Sequence, residues 1–241
     1  MNDVKRICLW SGPRNISTAL MYAFAQREDS KVFDEPLYAF YLANHPEAKF
    51  YHPGAEAILR TMDNKGSSVV ETMLSNHDKP VLFFKHMTHH LLDLDRSFMS
   101  KTLNIILTRN PVDMLPSFDK VIKNASLADV GYKLHVELMR YYEKNNIPFV
   151  VLESKRLLLD PEGQLNKLCA FLNIPFDKNM LSWQPHQRKE DGIWSKYWYS
   201  SVHQSSGFAK YKSKKTPFPE HLNPLLHKCL PYYNKMMQKA I

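Results

Sequence analysis

The chain has 241 residues with 44% hydrophobic and 23% charged side chains and a formal net charge of +8. That mix is globular and long enough to bury a sizeable core, which excludes a disordered or fibrous polymer. Three scattered cysteines without metal-ligand spacing exclude a disulfide framework and predict a reducing, cytoplasmic setting; no apolar window predicts a leader or a membrane span.

Arg6–Trp10 (RICLW) reads as a buried strand, and Asn15–Gln26 carries Ile16, Ala19, Leu20, Ala23 and Phe24 at helical spacing. Lys31–Pro36 (KVFDEP) reads as a second strand stopped by proline, with a short helix in LYAFYLANH behind it. Ser68 and Glu71 stand in S-x-x-E spacing, which predicts a capping box. Pro80–His86, Leu103–Arg109 and Pro148–Ser154 are further strand runs. Asn110 before Pro111, and Asp160 before Pro161, predict two helix starts with proline in the first position, and 129–145 predicts one long helix. Apolar runs thus alternate with helical patterns to about residue 175, which predicts an α/β fold. The expected form is three-layer: a central parallel sheet flanked by helices, in one domain over residues 1–241. Beyond Pro175, Trp183, Trp194, Tyr197, Trp198 and Tyr199 crowd together, either as a wall for a flat or cationic group or as core.

The stretch SGPRNIST, Ser11–Thr18, joins the first strand to the first helix. Backbone N–H groups at such a junction point at an anion, and the helix dipole favours it. Gly12 permits close backbone approach, and Pro13 follows it in the turn. Arg14 supplies a forked cation, and Asn15, Ser17 and Thr18 supply short donors. The Walker pattern is not met, because no second glycine and no lysine precede Ser17–Thr18. A second strand-to-helix junction, ILTRNPVDMLPSF, places Arg109 at a strand end and Ser117 two helical turns on. Taken singly, Arg109 reads equally as a strand cap or a salt-bridge partner of Asp113, and Ser117 as an ordinary helix-face serine.

Taken together, the Arg/Ser/Thr turn and the later R-N-P-x-D-x-x-x-S resemble the superfamily of sulfotransferases that use 3′-phosphoadenosine 5′-phosphosulfate (PAPS), and most of all its compact bacterial branch. The resemblance runs over roughly the whole chain in length and strand order, with its sharp motifs near residues 11–18 and 106–117. It implies a P-loop NTPase-like sulfotransferase fold, PAPS as sulfuryl donor with PAP as product, a small-molecule acceptor and no metal. It further implies that Gly12, Pro13, Arg14, Asn15, Ser17 and Thr18 hold the 5′-phosphosulfate, and that Arg109 and Ser117 hold the 3′-phosphate. The usual family loop carries lysine where Arg14 stands and a second glycine that is missing here. His203–Lys215 is the candidate for the family's late cofactor segment. Ser205, Ser206, Gly207 and Lys210 would close over the nucleotide; the alternative is a plain basic loop.

Sulfuryl transfer needs in-line attack, removal of the acceptor's proton and stabilisation of charge on the departing oxygen. Arg14 suits the last task, and Lys85 is a second candidate. Glu35 is the first choice of base, because it ends the second strand on the sheet edge where open α/β sheets bind ligands. The alternative reading of Glu35 is a helix cap with Asp34 as its exposed neighbour. His86 is the rival base. His86, His89 and His90 lack the carboxylate context of a metal site and read as pocket lining or surface. Three other readings stay open. One is a nucleotide-binding protein of the same fold without transfer, and one is a P-loop small-molecule kinase, which lacks its loop lysine here. The third is nucleic-acid binding, which lacks any recognisable module. The expected acceptor is an alcohol, a phenol, an amine or a guanidinium-like nitrogen; neither nucleic acid nor a membrane is an expected partner.

Overall fold

The first strand, β1 (Lys5–Ser11), is buried over five consecutive residues, from Ile7 to Ser11. In the computed structural model, which describes residues 4–212 and 216–241, the reason is that β1 lies at the centre of a five-stranded sheet. β2 (Ser30–Asp34), β3 (Val81–Met87), β4 (Leu103–Thr108) and β5 (Phe149–Glu153) complete it in the order β2-β3-β1-β4-β5. Every pairing is parallel: Ile7 stands opposite Phe83 on one side and Leu103 on the other. A parallel sheet needs helical crossovers, and these cover both faces.

Alternate residues of each strand enter different cores. Trp10, Leu82, Phe84, Ile106 and Val151 face one cluster, and Leu9, Val81, Phe83, Ile105, Leu107 and Leu152 face the other. The second face is closed by α1 (Ser17–Phe24), which supplies Leu20, Met21 and Phe24. Beside β2 lie α2 (Tyr38–Asn44), α3 (Ala48–Tyr51) and α4 (Ala55–Thr61), which form a satellite core with Trp194 and Tyr199. α5 (Gly66–Leu74) and α6 (Pro111–Phe118) pack on the first face. So do α7 (Leu127–Val130) and α8 (Tyr132–Lys144). α9 (Ser154–Leu159) and α10 (Pro161–Leu172) return to the second. The late segment holds α11 (Ser195–Trp198) and α12 (Ser200–His203), and α13 (Asn223–Met237) closes the first face against α8. No described helix is long and apolar enough to cross a membrane.

Asn110 caps α6 by accepting from Val112 N at 2.9 Å, and Asp160 caps α10 through Gly163 N at 2.9 Å, as the Asn-Pro and Asp-Pro pairs predict. Two local expectations are corrected. Ser68 does not cap a helix, because α5 already begins at Gly66 behind Lys65; the capping box that forms is Ser126 with Asp129, ahead of α7. The helix expected over 129–145 is broken at Gly131, whose φ of 78° lies in the left-handed region. The short helices α3 and α4 were not predicted.

Candidate active site

Between β1 and α1 the chain turns within Gly12–Ile16, with Arg14 at φ 58° and Ile16 at φ 62°. Left-handed backbone at two non-glycine residues costs energy and persists only when its surroundings hold it. Here they do. Arg109 Nη1 donates to Arg14 O at 2.8 Å, Asn15 Nδ2 to Leu107 O at 3.0 Å, and Ser154 Oγ to Asn15 O at 2.9 Å. Gly12 is required by contact: a Cβ there would stand 2.8 Å from Val130 O and 3.2 Å from Asn15 Nδ2. Gly131 meets it from the other side, its Cβ position 3.4 Å from Gly12 Cα. The break between α7 and α8 is therefore what seats the loop. α1 opens on this loop with no acidic residue in its first turn, so its positive end is uncompensated.

The two sequence motifs meet directly. Arg109 follows β4, and Arg14 Nε donates to Ser117 Oγ at 3.2 Å. Tyr132 OH donates to Arg109 O at 2.7 Å, which fixes that strand end. Burial, with Arg109 beside it, pulls the Arg14 guanidinium below its usual range. Two adjacent guanidinium groups that disfavour each other favour an anion between them.

On the opposite rim, Glu35 follows β2 at φ 46°, its N–H donating to Lys85 O at 2.8 Å. Lys85 Nζ is enclosed by Asp34 Oδ1 at 2.8 Å, Glu35 Oε1 at 2.5 Å and Tyr199 OH at 2.6 Å. Its three donors are all used. Tyr199 OH reaches both Asp34 oxygens at 2.9 Å, and it accepts from Trp194 Nε1 at 3.1 Å. Gly192 N donates to Asp34 Oδ2 at 3.0 Å. Burial raises the Glu35 carboxyl above its ordinary value; the Lys85 charge works against that and the Asp34 charge adds to it. Burial also opposes the Lys85 ammonium, but the two carboxylates outweigh it and hold it above its usual range. Asp34 is thus not an exposed neighbour of Glu35; its side chain is 1% exposed and pairs with Lys85.

Both rims bound one cavity of about 640 Å³, lined at one end by Gly12–Thr18 and Arg109 and elsewhere by Glu35 and Lys85. Its further wall is aromatic, with Tyr38, Tyr41, His52, His90, Trp194 and Trp198. Tyr38 OH and His52 Nδ1 share a hydrogen bond of 2.5 Å, and burial pushes His52 down to about 4, so the wall is uncharged there at neutral pH. Ser205 and Gly207 also line the cavity. Ser206 does not: its carbonyl accepts from Trp183 N at 3.1 Å, and Ser182 bridges Gly207. The last part of the predicted cofactor segment, Ser213–Lys215, lies outside the described residues.

His86 is not brought to the cavity. Strand alternation turns it to the face opposite Lys85, where it is fully buried and stacks on Trp10 with ring centroids 4.4 Å apart. Burial pushes its pKa down to about 3. The rival-base expectation is corrected on that ground. The aromatic cluster divides as well: Trp183 packs edge-on against Tyr22 in the core, while Trp194, Trp198 and Tyr199 face the cavity. Sequence reasoning missed the parts of Asp34, Tyr199 and His90; only the crowding of aromatics after residue 183 hinted at Tyr199. Among the described residues no group of three or more His, Cys, Asp or Glu is placed to hold a metal ion.

The chain is 38% identical over 236 residues to branched-chain-amino-acid aminotransferase-like protein 1 of Arabidopsis thaliana, and 37% identical over 227 residues to that plant's protein 2. Those matches cover 97% and 93% of this chain but 42% and 40% of the plant proteins, so the chain spans about two fifths of their length. The sulfotransferase domain of the Synechococcus PCC 7002 olefin synthase superposes with a TM-score of 0.57 over 94% of each chain, at 15% identity, which is a likeness of fold. A family model described as a sulfotransferase domain matches residues 5–240, nearly the whole chain. With its parallel sheet of P-loop-like order and its loop between β1 and α1, the protein belongs to the sulfotransferase-domain family.

Proposed function

We propose that the chain forms one sulfotransferase-like domain over residues 1–241 that moves the sulfuryl group of PAPS onto a hydroxyl or amine of a small molecule. The observation that carries this reading is the joint placement of Arg14, Arg109 and Glu35 around a single cavity. The strained loop, the start of α1 and the two guanidiniums fit two phosphate groups: left-handed backbone leads into a helix N-terminus, and the Arg14 and Arg109 charges disfavour each other until an anion joins them. Bound PAPS supplies the sulfuryl group. Gly12–Thr18 would hold its phosphosulfate, with Arg14 beside the oxygen that gains charge on leaving. Arg109 and Ser117 would hold the 3′-phosphate, with Ser117 joined to the site through Arg14.

Glu35 is the proposed base. Its Oε1 is taken by Lys85, which leaves Oε2 for the acceptor's proton. A carboxyl with a raised pKa is better matched to an alcohol or an amine than an exposed one. Lys85 is bonded to three partners, and its part is to hold the Glu35 carboxylate in place. The aromatic wall would take the body of the acceptor, as rings stack on flat or cationic groups. The test is Glu35→Gln. Loss of turnover by about a hundredfold or more, with PAP binding intact by calorimetry, is the expected outcome. Normal turnover in that variant removes Glu35 from the mechanism.

A further inference from the structure

His90 is the most enclosed polar group on the acceptor wall. It is 1% exposed, it lines the cavity, and its Nδ1 has no hydrogen-bond partner. A buried ring nitrogen is normally satisfied by protein, water or ligand. Two stacked rings hold its plane. Tyr38 and Tyr41 clamp it from its two sides, each with ring centroids 4.7 Å away and planes 23° apart. Within that plane Nδ1 lies 3.9 Å from Glu35 Oε2. That is too long for a direct hydrogen bond. It is not an ion pair either: burial, with His89 and His52 nearby, holds the imidazole well below its ordinary pKa and so neutral. Glu35 Oε1 is occupied by Lys85 at 2.5 Å, so Oε2 is the oxygen that faces the gap.

We propose that this gap is the seat of the acceptor's nucleophilic atom, held by Glu35 Oε2 on one side and His90 Nδ1 on the other. This rests on the sulfotransferase reading given above. An atom about 2.9 Å from both would see them roughly 85° apart, an angle open to an alcohol oxygen or an amine nitrogen. The acceptor's O–H or N–H donates to Glu35, and the Nδ1–H tautomer of neutral His90 donates to the acceptor atom, a second hydrogen bond that stops rotation about the first. On an alcohol oxygen a lone pair is left free for attack on sulfur, and a fixed orientation of this kind is what a near-attack geometry requires. In the transfer, the acceptor's oxygen or nitrogen bonds to sulfur, and the bond from sulfur to the bridging phosphate oxygen breaks. The electron pair departs on that oxygen, and the acceptor's proton passes to Glu35 Oε2. His90 ends with the proton count it began with, so it binds and orients without acting as the base.

Two measurements test this. The first is a crystal structure of the PAP complex without acceptor. A water within about 3.2 Å of both Glu35 Oε2 and His90 Nδ1 is expected; a dry gap, or Nδ1 bonded to protein, overturns the proposal. The second follows PAP release from PAPS with water as acceptor in three variants. His90→Phe keeps a ring for the Tyr38–Tyr41 clamp but no polar atom. His90→Asn places its amide near the Nδ1 position, and His90→Gln places it near Nε2. One lost hydrogen bond predicts release about tenfold slower in His90→Phe. His90→Asn recovers most of the rate and His90→Gln does not. Equal rates in His90→Phe and wild type, or rescue by Gln rather than Asn, refute the assignment. PAP affinity by calorimetry stays at the wild-type value in all three. If wild type itself binds no PAP, the sulfotransferase reading beneath the proposal fails instead.

Discussion

Replacing Lys85 by methionine keeps the length of the side chain and removes the charge that holds the carboxylate rim together. Nζ makes charge-assisted bonds of 2.8 Å to Asp34 and 2.5 Å to Glu35 and a third bond of 2.6 Å to Tyr199, on a side chain that is 1% exposed. Removing one partner of a buried ion pair costs about 3–5 kcal/mol, because the other charge is left uncompensated. In a chain of this size each kcal/mol is worth about 2–4 °C, so melting should fall by roughly 10 °C. The loss has a pH signature. Glu35 has an ordinary pKa of 4.5 and a raised one in the fold, from burial and the Asp34 charge, and Lys85 is the group that restrains the rise. A carboxyl with a raised folded pKa binds more protons folded than unfolded between the two values, so stability falls as pH climbs through that window. Without Lys85 the window reaches higher pH. The deficit should therefore be largest at pH 8 and shrink toward pH 5. Lys85's own folded pKa is raised too, so its contribution is complete below its unfolded pKa and is lost only at more alkaline pH. Urea unfolding at pH 5, 6.5 and 8 measures all of this. A loss under about 1 kcal/mol at pH 8, or one that does not change with pH, would refute the buried-triad reasoning.

Three further outcomes are expected. Arg109→Ala should cost PAP roughly ten- to a hundredfold in affinity, and AMP much less; calorimetry with both nucleotides checks it, and an unchanged PAP-to-AMP ratio takes the 3′-phosphate away from Arg109. Gly12→Ala forces a Cβ to 2.8 Å from Val130 O. It should destabilise the fold by about 1–3 kcal/mol and weaken PAP binding as the loop shifts; wild-type melting and affinity would show that the two segments are not locked together. His86→Phe preserves the stack on Trp10 and should leave turnover at the wild-type level, whereas its abolition would return His86 to the list of bases.

What could be read from the sequence was what local chemistry determines. Ile7–Trp10, Leu82–Phe84 and Ile105–Leu107 are continuous apolar runs because both faces of the sheet are covered. Asn110-Pro111 and Asp160-Pro161 act within one helical turn. The turn of Arg14, Asn15, Ser17 and Thr18, the proposed phosphate site, was legible for the same reason: a strand-to-helix junction is built from consecutive residues. The break at Gly131 was not, since one glycine costs a helix only about 1 kcal/mol and its purpose is contact with Gly12 far away in the chain. Nor could Lys85 and His86 be sorted by pattern, because a strand buried on both sides carries no polar-apolar alternation to show which faces the site. Tyr199 stands 164 residues from Glu35 and left no local trace of its hydrogen bonds to Lys85 and Asp34.

Calorimetric titration with PAP, in the absence of Mg²⁺ and beside AMP and ATP, tests the central claim most directly. PAP binding at least tenfold tighter than AMP, with no need for Mg²⁺, is the predicted result and places an anion at both Arg14 and Arg109. Binding of ATP only on addition of Mg²⁺, or of no nucleotide at all, would contradict it.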